Sequence, residues 1–174
     1  MKRMGFGLAT GIACVLAALP AAAQDAEWGW TSWSMEPEQV VEAGDGRVAA
    51  VEEDERNRVF GLHNTVSGQE TIGDVPYELK FYFDPDTQQL AAYDVLPDKG
   101  DCATMESTLQ AGGEADRSER GMVEIASDLP PVLMRVKEWD RTDGGTVRMI
   151  NISGDGIGTI FCKAIYMAPG IGGE

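Results

Sequence analysis

The chain has 174 residues, and 29 acidic side chains outnumber 14 basic ones to leave a formal net charge of −15. A field of that sign repels phosphate backbones and anionic lipid, so nucleic-acid binding and adhesion to anionic membranes are excluded as expected roles. The length suits one hydrophobic core.

The first residues read as a secretory signal peptide over 1–23. Lys2 and Arg3 form a basic start, Phe6 to Leu19 is an uncharged apolar run, and Ala21-Ala22-Ala23 precedes Gln24 as a small-residue cleavage site. A membrane anchor is the alternative, but the run is short against the roughly 20 residues a spanning helix needs. Cys14 does not make a lipidation site, because Gly11 stands where a large aliphatic residue belongs and the apolar run continues past the cysteine. The expected mature chain is a single domain over 24–174, periplasmic or secreted. Every acid stays with it while Lys2 and Arg3 leave, so it is more acidic still. That charge suits a basic partner or bound cations, and it equally suits plain solubility outside the cell.

After cleavage two of the three cysteines remain, Cys102 and Cys162. An even count in an oxidising compartment points to a disulfide between them, closing a loop of about 60 residues worth roughly 4 kcal/mol. Two free thiols, or one redox-active thiol, are the rival reading; the spacing is not C-x-x-C.

Trp28, Trp30 and Trp33 cluster at the start of the mature chain. Such rings either line a sugar or peptide site or plug the end of a core. Pro37 at a first helical position, Glu36 and Glu38 beside it and Val40-Val41 behind predict a short helix that Gly44-Asp45-Gly46 stops. A short strand from Val48 and an exposed acidic turn over Glu52-Glu53-Asp54-Glu55 follow. Val59 to Val66 alternates, with Phe60, Leu62 and Val66 expected on one side and His63 and Thr65 on the other. His63 is the only histidine, and a catalytic role for it needs partners placed around it.

Tyr77, Leu79, Phe81 and Phe83 alternate with Glu78, Lys80 and Tyr82, the period of a half-buried strand. Asp84-Pro85-Asp86-Thr87-Gln88 echoes the opening of a calcium loop, but position twelve is Val95 rather than glutamate, so a turn is expected instead. Asp101 can cap a helix with the stripe Cys102, Met105 and Leu109, ended by Gly112-Gly113. Glu114 to Gly121 reads as a flexible mixed-charge loop, and Met122 to Ala126 as a possible short strand. Strands over Val132 to Asp140, Thr146 to Ser153 and Gly158 to Met167 make a closing meander, with Trp139 and Phe161 covering the sheet and a frayed tail from Ala168. The glycine turns match neither phosphate-binding loop pattern. The expected fold is α+β: an antiparallel sheet of about five to seven strands with one or two short helices packed on one face.

The order W-x-M-x-P-E-x-V (Trp33, Met35, Pro37, Glu38, Val40), then Phe60-Gly61, V-P-Y-x-L-x-F-x-F-D from Val75 and L-x-A-x-D-V to Val95, resembles small exported bacterial α+β domains. Their layout is similar to the beta-lactamase-inhibitor-protein-like and outer-membrane assembly lipoprotein folds. The resemblance implies binding by a sheet face or by loops, without catalysis, and assigns no site residues.

The expected role is therefore an exported, non-catalytic protein that binds another protein or an envelope component, with Trp28, Trp30 and Tyr82 as the candidate contact surface. No catalytic, cofactor-binding or metal-ligating residue is assigned, no cofactor is expected, and the oligomeric state stays open. Two alternatives remain. One is a hydrolase or lyase built on two carboxylates. The other is a small-ligand or cation-binding module using Asp84 and Asp86, or Asp143 and Asp155.

Overall fold

The computed structural model describes residues 30–72, 74–98, 102–125, 130–154 and 158–172. The signal-peptide region, Trp28, Asp101 and Asp155 lie outside the described residues. The elements in chain order are α1 (Pro37–Ala43), β1 (Val48–Ala50), a 3₁₀ turn (Glu53–Glu55), β2 (Arg58–Val59), β3 (Leu62–Ile72), β4 (Val75–Phe83), β5 (Leu90–Pro97), α2 (Cys102–Ala111), β6 (Arg117–Val123), β7 (Val132–Asp140), β8 (Thr146–Gly154) and β9 (Gly158–Met167). The strands form one antiparallel sheet in the order β1-β3-β4-β5-β9-β8-β7-β6, and β2 folds back on β3.

Nine strands stand where five to seven were expected. The short β1 is where a strand from Val48 was expected; part of the excess is β2, of only two residues. The sheet also extends into β6, which runs through residues 117–121 of the stretch expected to be a flexible loop and into Met122 and Val123 of the expected short strand. Its side chains Arg117 to Met122 are all exposed. An edge strand solvated on both faces carries no apolar alternation to announce it.

Both helices contribute to one core cluster on the same side of the sheet: Val40 from α1 and Cys102 and Met105 from α2 meet Val66, Tyr77, Leu79, Phe81, Phe83, Tyr93 and Tyr166. The α1 start is held by the Glu36 N–H donating to Gln39 Oε1 at 2.9 Å. Cys102 and Cys162 form a disulfide with their Cα atoms 5.9 Å apart, tying α2 to β9. Behind α1, β1 approaches β3 so closely that a Cβ on Gly68 would lie 2.1 Å from the Arg47 carbonyl oxygen. Only glycine fits there.

Alternation along β4 is as expected, with Tyr77, Leu79, Phe81 and Phe83 all in the helix-side core. Along β3 it is not. A bulge between Asn64 and Val66 shifts the register, so Leu62 and Val66 fall in different clusters on opposite faces. Asn64, itself buried, donates through Nδ2 to the carbonyls of Val66 and Phe81 and so satisfies the bulged backbone. Phe60 is in neither set: it takes φ 53° beside Gly61 at φ 79° in the two-residue turn joining β2 to β3. Its ring is 60% exposed.

The chain end is also docked further than a frayed tail would be. The Ala168 N–H donates to Ala91 O at 2.9 Å, and Ile171 packs against the cluster that Leu62, Tyr82, Ala92, Ile165 and Met167 belong to.

Candidate binding surface

The aromatic cluster at the start of the mature chain joins the core. The Trp30 ring lies 5.7 Å from Phe81, its Nε1–H donates to Glu70, and the Arg47 guanidinium sits 4.7 Å above it. Trp33 stacks on Tyr93 at 5.7 Å, and Tyr93 stacks on Tyr166 at 4.6 Å. The Trp33 Nε1–H donates to Asp143 Oδ2 at 3.2 Å. These two rings plug one end of the helix-side core.

Tyr82 is on the opposite face of the sheet and only 3% exposed. The structure does not bring Trp30 and Tyr82 together, so the expected contact area does not exist as one patch. Phe161, expected to cover the sheet, is 37% exposed, whereas Trp139 is buried.

The face without helices has its own organisation. Register pairing lines up Arg117 (β6), Glu138 (β7), Arg148 (β8), Ile165 (β9), Asp94 (β5) and Lys80 (β4) in one cross-strand row. Residues directly opposite in antiparallel strands project to the same side, so the five charged members of this row alternate in sign, with Ile165 between Arg148 and Asp94. Arg117 donates to Glu138 Oε2 and to Asp140 Oδ1, each at 2.7 Å, and Arg148 Nε also bonds Glu138. Hydrogen bonding from Arg117 holds the Glu138 carboxyl below its ordinary range; burial opposes this, and Arg148 adds to it. Asp140 and Glu138 in turn raise the Arg117 guanidinium.

Asp94, 3% exposed, is the charged group most removed from water. Its Oδ2 accepts from Lys163 Nζ at 2.8 Å and from the Tyr82 hydroxyl at 3.1 Å. Burial, then the negative charge of Asp94 and its hydrogen bond, push the Tyr82 phenol far above its ordinary value. The phenol stays neutral and donates, which suits a structural contact and not a base or nucleophile.

Two further rows lie beside the charged one. Glu119, Val136, Ile150 and Lys163 make the first, and Gly121, Met134, Ile152 and Phe161 the second. A groove of about 800 Å³ opens over Met134, Val136, Ile150 and Met167, bordered by Arg117, Glu119 and the docked segment at Gly170–Gly172. Glu138 and Arg148 line it as well, so apolar and paired charged side chains share its surface, a mixture that suits recognition.

The other candidate side chains are committed locally. His63 has Arg58 and Phe83 as cross-strand neighbours. Asp84 Oδ1 accepts from the backbone of Asp86 and Thr87 and from the Thr87 hydroxyl, so it builds the turn. The Asp143 carboxyl is pushed up by burial but held lower overall by the Gly145 N–H, Arg141 and Trp33. Among the described residues no group of three or more His, Cys, Asp or Glu side chains is placed to hold a metal ion, and no helix is long and apolar enough to cross a membrane.

Asp94, Lys163, Glu138 and Arg148 were not singled out from sequence. A signal was present: L-A-A-Y-D-V-L and F-C-K-A-I-Y each carry one charge inside an apolar strand, and such charges are stable there only when paired. No family model matches this chain, and comparison with curated proteins and with solved structures finds no match.

Proposed function

We propose that this is an exported, periplasmic or secreted protein without catalytic activity, which binds another protein or an envelope component through the helix-free face of its sheet. The observation that supports this reading is the groove of about 800 Å³ with Met134, Val136 and Ile150 on its floor, continued by the partly exposed Ile152 and Phe161. Apolar surface left open beside the paired charges of Arg117, Glu138 and Arg148 is what a partner can cover at little desolvation cost. The resemblance to beta-lactamase-inhibitor-protein-like and outer-membrane assembly lipoprotein folds belongs to the same proposal, since it too implies binding by a sheet face.

The test is capture from a periplasmic extract with the full chain and with Met134→Arg and Phe161→Arg variants. A partner retained by the native chain and by Phe60→Arg, but released by both groove-side variants, supports the reading. A partner held equally by all four, or none held at any salt concentration, refutes it.

A further inference from the structure

Strand β6 ends the sheet, and among the described residues nothing pairs with its outer edge. Arg117 to Met122 are all exposed, so their order is not dictated by the core. With Asp116, the residue just before the strand, that order is Asp116, Arg117, Ser118, Glu119, Arg120. Reversed, every charge changes sign around Ser118.

We propose that this edge is a self-recognition surface at which a second copy of the chain adds its own β6 antiparallel, with Ser118 facing Ser118 of the partner copy on the two-fold axis. In that register Arg117 of each copy faces the partner's Glu119, and Arg120 faces the partner's Asp116. Four ion pairs form and no like charges meet. The two sheets join over residues 117–119, where strand faces strand, and the edge groups there gain ladder partners, while Arg120 faces the residue just before the partner's strand. This edge adjoins the proposed groove and shares Arg117, Ser118 and Glu119 with its border, but self-association is read on the chain alone and so is tested apart from capture of a partner.

Two observations inside one copy support this arrangement. Arg120 stands directly opposite Arg135 on β7, and both side chains are exposed. Like charges so placed repel, and the partner's Asp116 relieves that repulsion. Glu119 stands opposite Val136 and has no charged cross-strand neighbour; the partner's Arg117 supplies one. Asp116 is already oriented, because its Oδ2 accepts the Asp140 N–H at 2.8 Å while its own N–H donates to Glu138 O. Arg117 is 52% exposed despite its two carboxylate partners and can take a third. Charges on a free edge commonly serve only to keep it from pairing; a purely protective edge has no need of sign inversion about a centre.

The experiment uses the exported chain with its native disulfide. Under mild oxidation Ser118→Cys should cross-link into a covalent dimer, because adjacent strands place facing side chains about 5 Å apart. Met122→Cys is more exposed in the native chain, at 64%, yet should not cross-link, since this register separates the two positions by roughly 25 Å. In sedimentation equilibrium Glu119→Arg should weaken self-association about tenfold or more, as should Arg117→Glu. Mixing those two variants in equal amounts should restore a heterodimer, because every altered position then faces an opposite charge. A native chain that stays monomeric with no Ser118→Cys cross-link overturns the proposal. Equal cross-linking at both positions, or no recovery on mixing variants that remain folded by circular dichroism, overturns it too.

Discussion

Reducing the Cys102–Cys162 disulfide removes the covalent link between α2 and the sheet while leaving both sulfur atoms in place. The two residues are separated by 60 positions, and for a loop of that length the chain-entropy relation gives about 4 kcal/mol at 25 °C. At roughly 2–4 °C per kcal/mol for a domain of this size, the melting temperature should fall by about 8–16 °C in dithiothreitol. The loss should be felt first in α2, where only Cys102 and Met105 of ten residues are buried, so hydrogen exchange over Cys102–Ala111 should rise before the sheet opens. A Cys102→Ala/Cys162→Ala chain should melt lower again, because it also deletes two buried sulfur atoms from the core. Calorimetry of the oxidised, reduced and doubly substituted chains separates the two effects. A reduced protein melting within about 4 °C of the oxidised one, or both thiols alkylated in native oxidised material, would refute the reasoning.

Lys163→Met leaves the Asp94 carboxylate buried with only the Tyr82 hydroxyl. It should cost about 3 kcal/mol, the lower end for breaking a buried ion pair, and an unchanged urea midpoint would contradict the pairing. Tyr82 is neutral in the folded chain and ionises more readily unfolded. Its contribution is therefore fully present below about pH 10, the unfolded tyrosine value, and is lost as pH rises toward the higher folded value. Phenolate absorbance should show one tyrosine titrating only with unfolding, and Tyr82→Phe should lessen the alkaline loss of stability. Gly68→Ala forces a methyl against the Arg47 carbonyl and should cost about 1–3 kcal/mol in urea unfolding; no measurable loss would mean that β1 does not approach β3 as described.

The parts of the fold visible in the sequence are those where burial alone determines the pattern. Strand β4 alternates because one face meets the helix-side core, and the meander of β7, β8 and β9 shows its turns through glycine and aspartate. The disulfide followed from cysteine count and compartment. The bulge in β3 escaped because one inserted residue reverses the parity of everything after it, and Thr65 looks no different from an ordinary strand residue. The tail escaped because its docking depends on Ile171 reaching a cluster that includes Leu62 and Tyr82, residues about a hundred positions earlier in sequence. Trp30 and Tyr82 do not form one contact patch for a related reason: each packs on a core on its own face of the sheet, and composition carries no face.

Strand β6 is the limiting case, and it links folding to recognition. Its inner edge is held by backbone pairing with β7 along its whole length, and backbone pairing is nearly indifferent to side-chain identity. With both faces in water and no core contact to satisfy, two demands remain on D-R-S-E-R: staying soluble and selecting what pairs with the outer edge. The composition that made this stretch read as a loop is thus what frees its charge order to encode a partner. A scrambled edge with the same residues, Asp116→Arg and Arg120→Asp exchanged against an unchanged Arg117 and Glu119, keeps composition and sign inversion alike. It should still associate, provided that Asp140 tolerates losing its cap. Exchanging Glu119 with Arg120 instead keeps composition but sets Arg117 against a second arginine and Asp116 against a glutamate in the pairing register. Sedimentation should then show monomer. If both scrambles associate equally, charge order carries no information and the edge is only protected.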